Sequence, residues 1–203
     1  MFLQKIFQNK KYADIVIVGL GNPGKEFQKT PHNAGFQAID LLLEMLQQRK
    51  AIKREEHTKE YALYEARIQS KTVVLVKPLL FMNRSGQVTK KILSEYTTES
   101  PQCVWIVHDD IDLSLSSLRI SFNSQSAGNK GVQSIIDALE RKDFYRFRIG
   151  VRPNEQFDPV VFVTKQLQPT QQKTLAETVN KCVFALVESI ATSPQQVQKQ
   201  SMK

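Results

Sequence analysis

An α/β fold in one domain, a sheet flanked by helices, is what this sequence predicts, on three observations. Short runs rich in β-branched residues, such as ADIVIVGL (13–20) and CVWIVHDD (103–110), read as buried strands. Between such runs lie stretches whose apolar residues recur every three or four positions, the spacing of an amphipathic helix. No internal repeat or linker interrupts this alternation, and 203 residues suit one domain with a sizeable core.

The first strand, ADIVIVGL, is stopped by glycine. Phe36, Ile39, Leu43 and Leu46 then share one helix face, and Asn33 is placed to cap that helix. Residues 47–60 are polar and charged and read as a surface connection, which makes His57 a surface residue. YALYEARI (61–68) and TVVLVKPL (72–79) resemble a hairpin around Gln69–Lys71, without a strong turn signal. Asn83 leads into a weaker helix carrying Val88, Ile92 and Tyr96. LRISF (118–122) is a further strand, NSQSAGNKG (123–131) a flexible polar loop, and Val132, Ile135, Ile136 and Leu139 mark the next helix. In FRIGV (147–151) the apolar residues alternate with Arg148 and Gly150, which puts Arg148 on the face opposite the core. A last helix, about 170–192, buries Leu175, Cys182, Val183, Leu186 and Ile190.

Apolar and charged fractions of 41% and 24% are ordinary for a folded cytosolic protein. No apolar run approaches the length of a membrane span, and MFLQKIFQNKKYAD lacks the uninterrupted apolar core and cleavage site of a secretory signal. A cytoplasmic location is therefore expected. Cys103 and Cys182 lie far apart, each in an apolar context, and read as buried free thiols. The net charge of +8 favours polyanionic partners, nucleic acid first. Seven positive residues against three negative fall between Arg119 and Arg152, half the net charge in about a sixth of the chain.

Two motifs invite misreading. GLGNPG (19–24) fits the glycine fingerprint of dinucleotide-binding folds, but Pro31 interrupts the helix that should follow directly, and Asp40 lies inside a helix rather than ending a second strand. The glycines are better read as freeing the backbone for a tight loop that presents Asn22. His108, Asp109, Asp110 and Asp112 suggest a metal site, but alternation along a strand sends neighbouring side chains to opposite faces.

Four segments place polar side chains at the end of an apolar element: GNPG (21–24), TPHNAGF (30–36), FMNRSG (81–86) and HDDIDL (108–113). With FYRFRIGV (144–151) they resemble, in order and over roughly residues 14–190, the bacterial peptidyl-tRNA hydrolase family. The resemblance implies a monomeric α/β fold with a mixed twisted sheet, needing no metal or cofactor. It also implies hydrolysis of the ester joining a peptide's C-terminus to tRNA, with the 3′ CCA end and acceptor stem as the nucleic-acid partner. On this reading residues 1–12 are a basic N-terminal extension, 13–192 the hydrolase-like domain and 193–203 a flexible tail.

The same resemblance matches His32 to the catalytic base and Asp109 to its partner carboxylate. Asn22 matches the asparagine that discriminates peptidyl from aminoacyl substrates, Asn83 the amide beside peptide and 3′ end, and Phe81 an aromatic pocket wall. Phe27 falls where an aromatic, often tyrosine, is usual; it can stack but cannot donate a hydrogen bond. The chemistry agrees. An ester is already activated, so water needs a proton acceptor near neutral pH and help for the forming oxyanion. Histidine has the ordinary pKa for the first task. A helix N-terminus beyond His32 disfavours the imidazolium, whereas Asp109 fixes one tautomer and stabilises the charged ring. The pair is expected to balance near physiological pH.

Two departures stand out. The loop usually reads glycine-histidine-asparagine-glycine in the family, whereas Gly128-Asn129-Lys130-Gly131 stands here. Lys130 replaces a substrate-contacting amide; it grips tRNA phosphate or the peptide terminus instead, or Asn129 supplies the amide. In the phosphate clamp Arg148 matches the arginine, but Ser121 stands at the lysine's position, with Arg119 two residues away on the same strand face and Arg146 offering further charge. These departures keep a rival open, a non-catalytic RNA-binding protein on the same scaffold.

Overall fold

In the computed structural model, residues 10–153 and 156–200 are described. The chain begins with β1 (Lys11–Tyr12) and β2 (Ile15–Gly19), passes through two 3-10 turns, Lys25–Phe27 and Pro31–Asn33, and enters α1 (Ala34–Gln48). Then come β3 (Ile52–His57), β4 (Tyr61–Ile68), β5 (Lys71–Pro78), α2 (Ser85–Glu95) and β6 (Tyr96–Thr97). β7 (Val104–Ser114), β8 (Leu118–Phe122), α3 (Lys130–Leu139) and β9 (Tyr145–Arg152) follow, then α4 (Pro159–Phe162), α5 (Pro169–Ala191) and α6 (Pro194–Gln200).

Seven strands form one mixed sheet in the order β3-β4-β5-β2-β7-β9-β8. β2 pairs parallel with β5 and β7, and β7 pairs parallel with β9. The β3–β4–β5 meander and the β8–β9 pair are antiparallel. Every residue of β2 is buried, as a central strand covered on both faces requires. Alternation divides its side chains. Ile15 and Ile17 join α1 and α5 through Leu42, Cys182 and Leu186. Val16 and Val18 join α2 and α3 through Val88, Ile92, Val132 and Ile135. The expected α/β sandwich with a mixed sheet is what forms. No described helix is long and apolar enough to cross a membrane.

Several elements differ from expectation. IKREEH, read as part of a surface connection, is an edge strand whose burial alternates; its long charged side chains conceal a period of two. Tyr96 leaves the second helix and pairs in β6 with β1, so Lys11 and Tyr12 of the extension are held as a short parallel strand. The hairpin turn is borne out, with Gln69 at φ 54°. The segment expected to be a flexible tail is helical over Pro194–Gln200, and Val197 is buried in the α5 core because its apolar side chain finds that face. Residues 1–9 and 201–203 lie outside the described residues.

One close approach sets the geometry of the functional end. Leu20 N–H donates to Val107 O at 2.9 Å and Phe36 N–H to Leu20 O at 3.1 Å, so the first turn of α1 lies against the carboxyl ends of β2 and β7. A Cβ on Gly35 would collide with Val107 O and lie 2.5 Å from Leu20 N, both backbone atoms with no freedom to move. Gly35→Ala is therefore expected to cost about 1–3 kcal/mol, seen as a fall of several degrees in Tm; an unchanged Tm would show that the α1 contact yields.

Candidate active site

Three loops meet at the carboxyl ends of the parallel strands, the place where open α/β sheets hold ligands. Gly24, at φ 118°, takes a backbone conformation that side chains disfavour and turns the GNPG loop sharply. Asn33 does not cap α1 with its side chain. It clasps Asn22 instead: Asn22 N–H donates to Asn33 Oδ1 at 2.8 Å and Asn33 Nδ2 donates to Asn22 O at 3.0 Å. Met82 N–H then donates to Asn22 Oδ1 at 2.8 Å. A backbone donor must meet the oxygen end of the amide, so Asn22 is left with its NH₂ to offer.

His32 sits in the 3-10 turn just before α1, and its N–H donates to Val163 O at 3.0 Å. Its Nδ1 lies 2.9 Å from Asp109 Oδ2, with only 11% and 3% of the two side chains exposed. A carboxylate can only accept, so Nδ1 carries the proton and Nε2 keeps the lone pair. The other oxygen, Asp109 Oδ1, accepts from Asn129 Nδ2 at 2.9 Å, which also reaches Asp109 O at 3.2 Å. Asn129 Oδ1 meanwhile caps α3, accepting from Gly131 N at 3.0 Å and Val132 N at 3.1 Å.

Burial pushes the His32 pKa down, but the charge of Asp109 and its hydrogen bond push it up; Lys130 opposes them, and the net direction is upward. Burial raises the Asp109 carboxyl, yet His32 and Asn129 together hold it below the usual carboxylate range. His108, next in the strand, faces the other side of the sheet. It donates from Nδ1 to Asp109 O at 2.6 Å, and burial pushes its pKa down to about 4, so it is neutral near pH 7.

His32, Asp109, Asp110, Asn129 and Lys130 line a cavity of about 240 Å³, bounded on one side by Pro159, Val163 and Thr164. Asn22 and Asn33 border a separate groove of about 620 Å³, with Phe36 and Lys77 on its walls. Phe81 and Asn83 are exposed on the turn that Asn22 anchors, and Phe27 is partly buried in the turn Lys25–Phe27. Of the sequence-predicted residues, His32, Asp109 and Lys130 line the first depression and Asn22 the second, whereas Phe27, Phe81, Asn83, Arg119 and Arg148 line neither.

The basic strip departs from expectation in one respect. Arg119 and Arg148 are register partners across β8 and β9, and Arg119 is exposed. Arg148 Nε donates to Asp110 Oδ2 at 2.6 Å. Arg146, expected to add surface charge, is 1% exposed; its Nη1 donates to Gln125 O at 2.5 Å and pins the 123–129 loop. Ser121 lies opposite this buried arginine. The tie between Asn129 and Asp109 escaped the sequence reading, although an asparagine just ahead of Val132, Ile135 and Ile136 carried the signal of a helix cap. The Asp110–Arg148 pair had no signal, since its partners are 38 residues apart and meet only through the β7–β9 register.

A histidine bonded to a buried carboxylate thus stands at the carboxyl ends of the parallel strands of a mixed α/β sheet. A family profile described as peptidyl-tRNA hydrolase matches residues 16–203. The chain is 40% identical over 184 residues to the peptidyl-tRNA hydrolase of Aquifex aeolicus, covering 89% of this chain and 92% of that one. It is 42% identical over 166 residues to that of Mycoplasma capricolum, covering 81% and 87%. The crystal structure of peptidyl-tRNA hydrolase from Acinetobacter baumannii superposes with a TM-score of 0.74 at 25% identity, over 95% of each chain. The chain belongs to the peptidyl-tRNA hydrolase family.

The sign of the His32–Asp109 coupling is testable. Asp109→Asn removes the one strong influence raising the His32 pKa and leaves burial and Lys130, which both lower it. A histidine NMR titration should place His32 above 6.5 in the parent and below it in the variant. Equal values would disprove the coupling.

Proposed function

We propose that this protein hydrolyses the ester between the C-terminus of a peptide and the 3′ ribose of tRNA, freeing tRNA from peptides left by stalled or abortive translation. The observation that carries the reading is the His32–Asp109 pair, closed from solvent at 2.9 Å beside the cavity and open at Nε2. Water held at Nε2 gives up its proton to His32 as its oxygen attacks the ester carbonyl. Asp109 holds the tautomer and stabilises the imidazolium, which then protonates the leaving ribose oxygen. The free NH₂ of Asn22 and the exposed amide of Asn83 suit a peptide carbonyl, and Phe81 offers a flat apolar surface beside them.

The RNA body is taken by charge. Arg119 lies exposed on the edge strand β8, in register with Arg148, and its guanidinium suits a phosphate of the acceptor stem. Arg148 shares its charge with Asp110, so Arg119 carries more of the free positive potential than the sequence alone suggested.

Incubation with N-blocked aminoacyl-tRNA should release free tRNA, and His32→Ala should lower kcat roughly 10²–10⁴-fold. Release that survives this substitution would refute the proposed base. Binding without release by the parent protein would favour the rival RNA-binding reading. Arg119→Ala and Arg148→Ala should each raise KM more than they lower kcat and flatten the dependence of log KM on log salt, by about one phosphate contact for each. An unchanged KM and salt slope would remove that arginine from the RNA site.

A further inference from the structure

Lys130 is the departure from the family pattern that the proposed function leaves unexplained, and the structure narrows what it does. One alternative, that Asn129 supplies the missing substrate amide, is closed by its bonding. The Asn129 NH₂ is turned to Asp109 and its oxygen to the first N–H groups of α3. Those bonds also fix the backbone of Lys130, the first residue of α3, relative to the catalytic carboxylate. On the far side, Gly131 packs so closely on the turn before α2 that a Cβ there would collide with Met82 Sδ. Lys130 therefore stands on a backbone held between the His32–Asp109 pair and the Met82–Arg84 turn.

The charge around the cavity shows what such a residue can do. Two carboxylates line it, Asp109 bonded to His32 and Asp110 bonded to Arg148. Lys130 is the sole cationic side chain among its described lining residues. Attack by water on an ester turns the carbonyl oxygen into an anion. The other cations near it are already matched, the His32 imidazolium by Asp109 and Arg148 by Asp110, which leaves Lys130 to meet that charge. Without a compensating cation or donor, the charge of the transition state would be left unmet.

We infer that Lys130 is a catalytic residue whose ammonium neutralises the oxyanion formed as water adds to the ester carbonyl. This rests on the proposed hydrolysis and deepens it. In the step, the water oxygen bonds to the carbonyl carbon, its proton passes to His32 Nε2, and the carbonyl π pair moves onto the oxygen facing Lys130. On collapse that pair re-forms the double bond, the carbon–oxygen bond to ribose breaks, and the His32 proton goes to the departing oxygen. Lys130 stays protonated throughout, so no further reactant is needed. The groups facing His32 are Asp109 from β7, Lys130 from α3 and, across the cavity, Asp110; its lining from Pro159, Val163 and Thr164 brings no ionisable side chain. The same ammonium lowers the His32 pKa and so opposes Asp109, keeping more of the base free near neutral pH.

The test is single-turnover hydrolysis of N-blocked aminoacyl-tRNA by the full chain and by Lys130→Met, Lys130→Arg and Lys130→Asn, with KM measured against salt. Lys130 is exposed, so folding should survive, and thermal melts will verify it. Lys130→Met should lower the single-turnover rate about 10²-fold with KM and salt slope little changed. Its acid limb should move to higher pH, because a cation near His32 has been removed. Lys130→Arg should recover part of the rate and Lys130→Asn less. A raised KM with a flatter salt slope and an intact rate would overturn the inference and assign Lys130 to tRNA phosphate. An unchanged rate and acid limb would overturn it outright. If the parent protein released no tRNA, the proposed function would fall and this inference with it; hydrolysis by the parent with full rate in Lys130→Met would sink only the latter.

Discussion

The Asp109 carboxylate is the interaction on which the functional end of this molecule depends. One oxygen meets His32 and the other meets Asn129, so a single buried anion joins the turn before α1 to the start of α3. An unpaired buried carboxylate would be strongly destabilising, and removing one partner of a buried charge pair typically costs about 3–5 kcal/mol. Here the charge is met by donors from two separate loops, which makes the carboxylate a structural pin as well as an electrostatic one. The same bonds hold the group below the usual carboxylate range despite its burial.

That pin is useful only because the backbone beneath it is rigid. The end of β2 is tied to Val107 of β7 and to the first turn of α1, with Gly35 at the point of contact. Asn22 and Asn33 lock the GNPG loop to the turn carrying His32, and Met82 ties that loop to the start of the α2 segment. His32 is held by Asp109 and Asn22 by Asn33, partners that are themselves buried. The arrangement fixes the His32 ring and the Asn22 amide in advance, and groups ordered in advance lower the entropic cost of binding a ligand.

Charge is divided in the same economical way. Arg146 is spent inside the protein, pinning the loop that leads to Asn129 and Lys130. Arg148 is shared with Asp110, and Arg119 alone of the three is exposed. The net positive charge of this region therefore overstates what faces solvent, and part of it holds the loop that leads into α3.

The strands, most helices and the polar ends of the apolar elements were legible in the sequence, because burial imposes periods of two and of three to four on the residues that meet the core. β3 was not, since an edge strand can satisfy its register with long charged side chains. The helix over Pro194–Gln200 was not either, because the burial of Val197 depends on a surface made by α5 and the sheet. His32, Asp109, Asn22 and Asn83 could be named from motifs in order along the chain. The pairing of His32 with Asp109 came with the family resemblance, but the other contacts of these side chains could not be named. Asn33 as a clasp, Asn129 as the partner of Asp109, and Arg148 as the partner of Asp110 all arise from contacts between segments distant in sequence. The sequence by itself determined the fold class and the residue types at the site, since both follow from local pattern. Only the tertiary structure decided which amides remain free, which arginines stay exposed and where Lys130 stands, because hydrogen-bond capacity and charge are shared out through space.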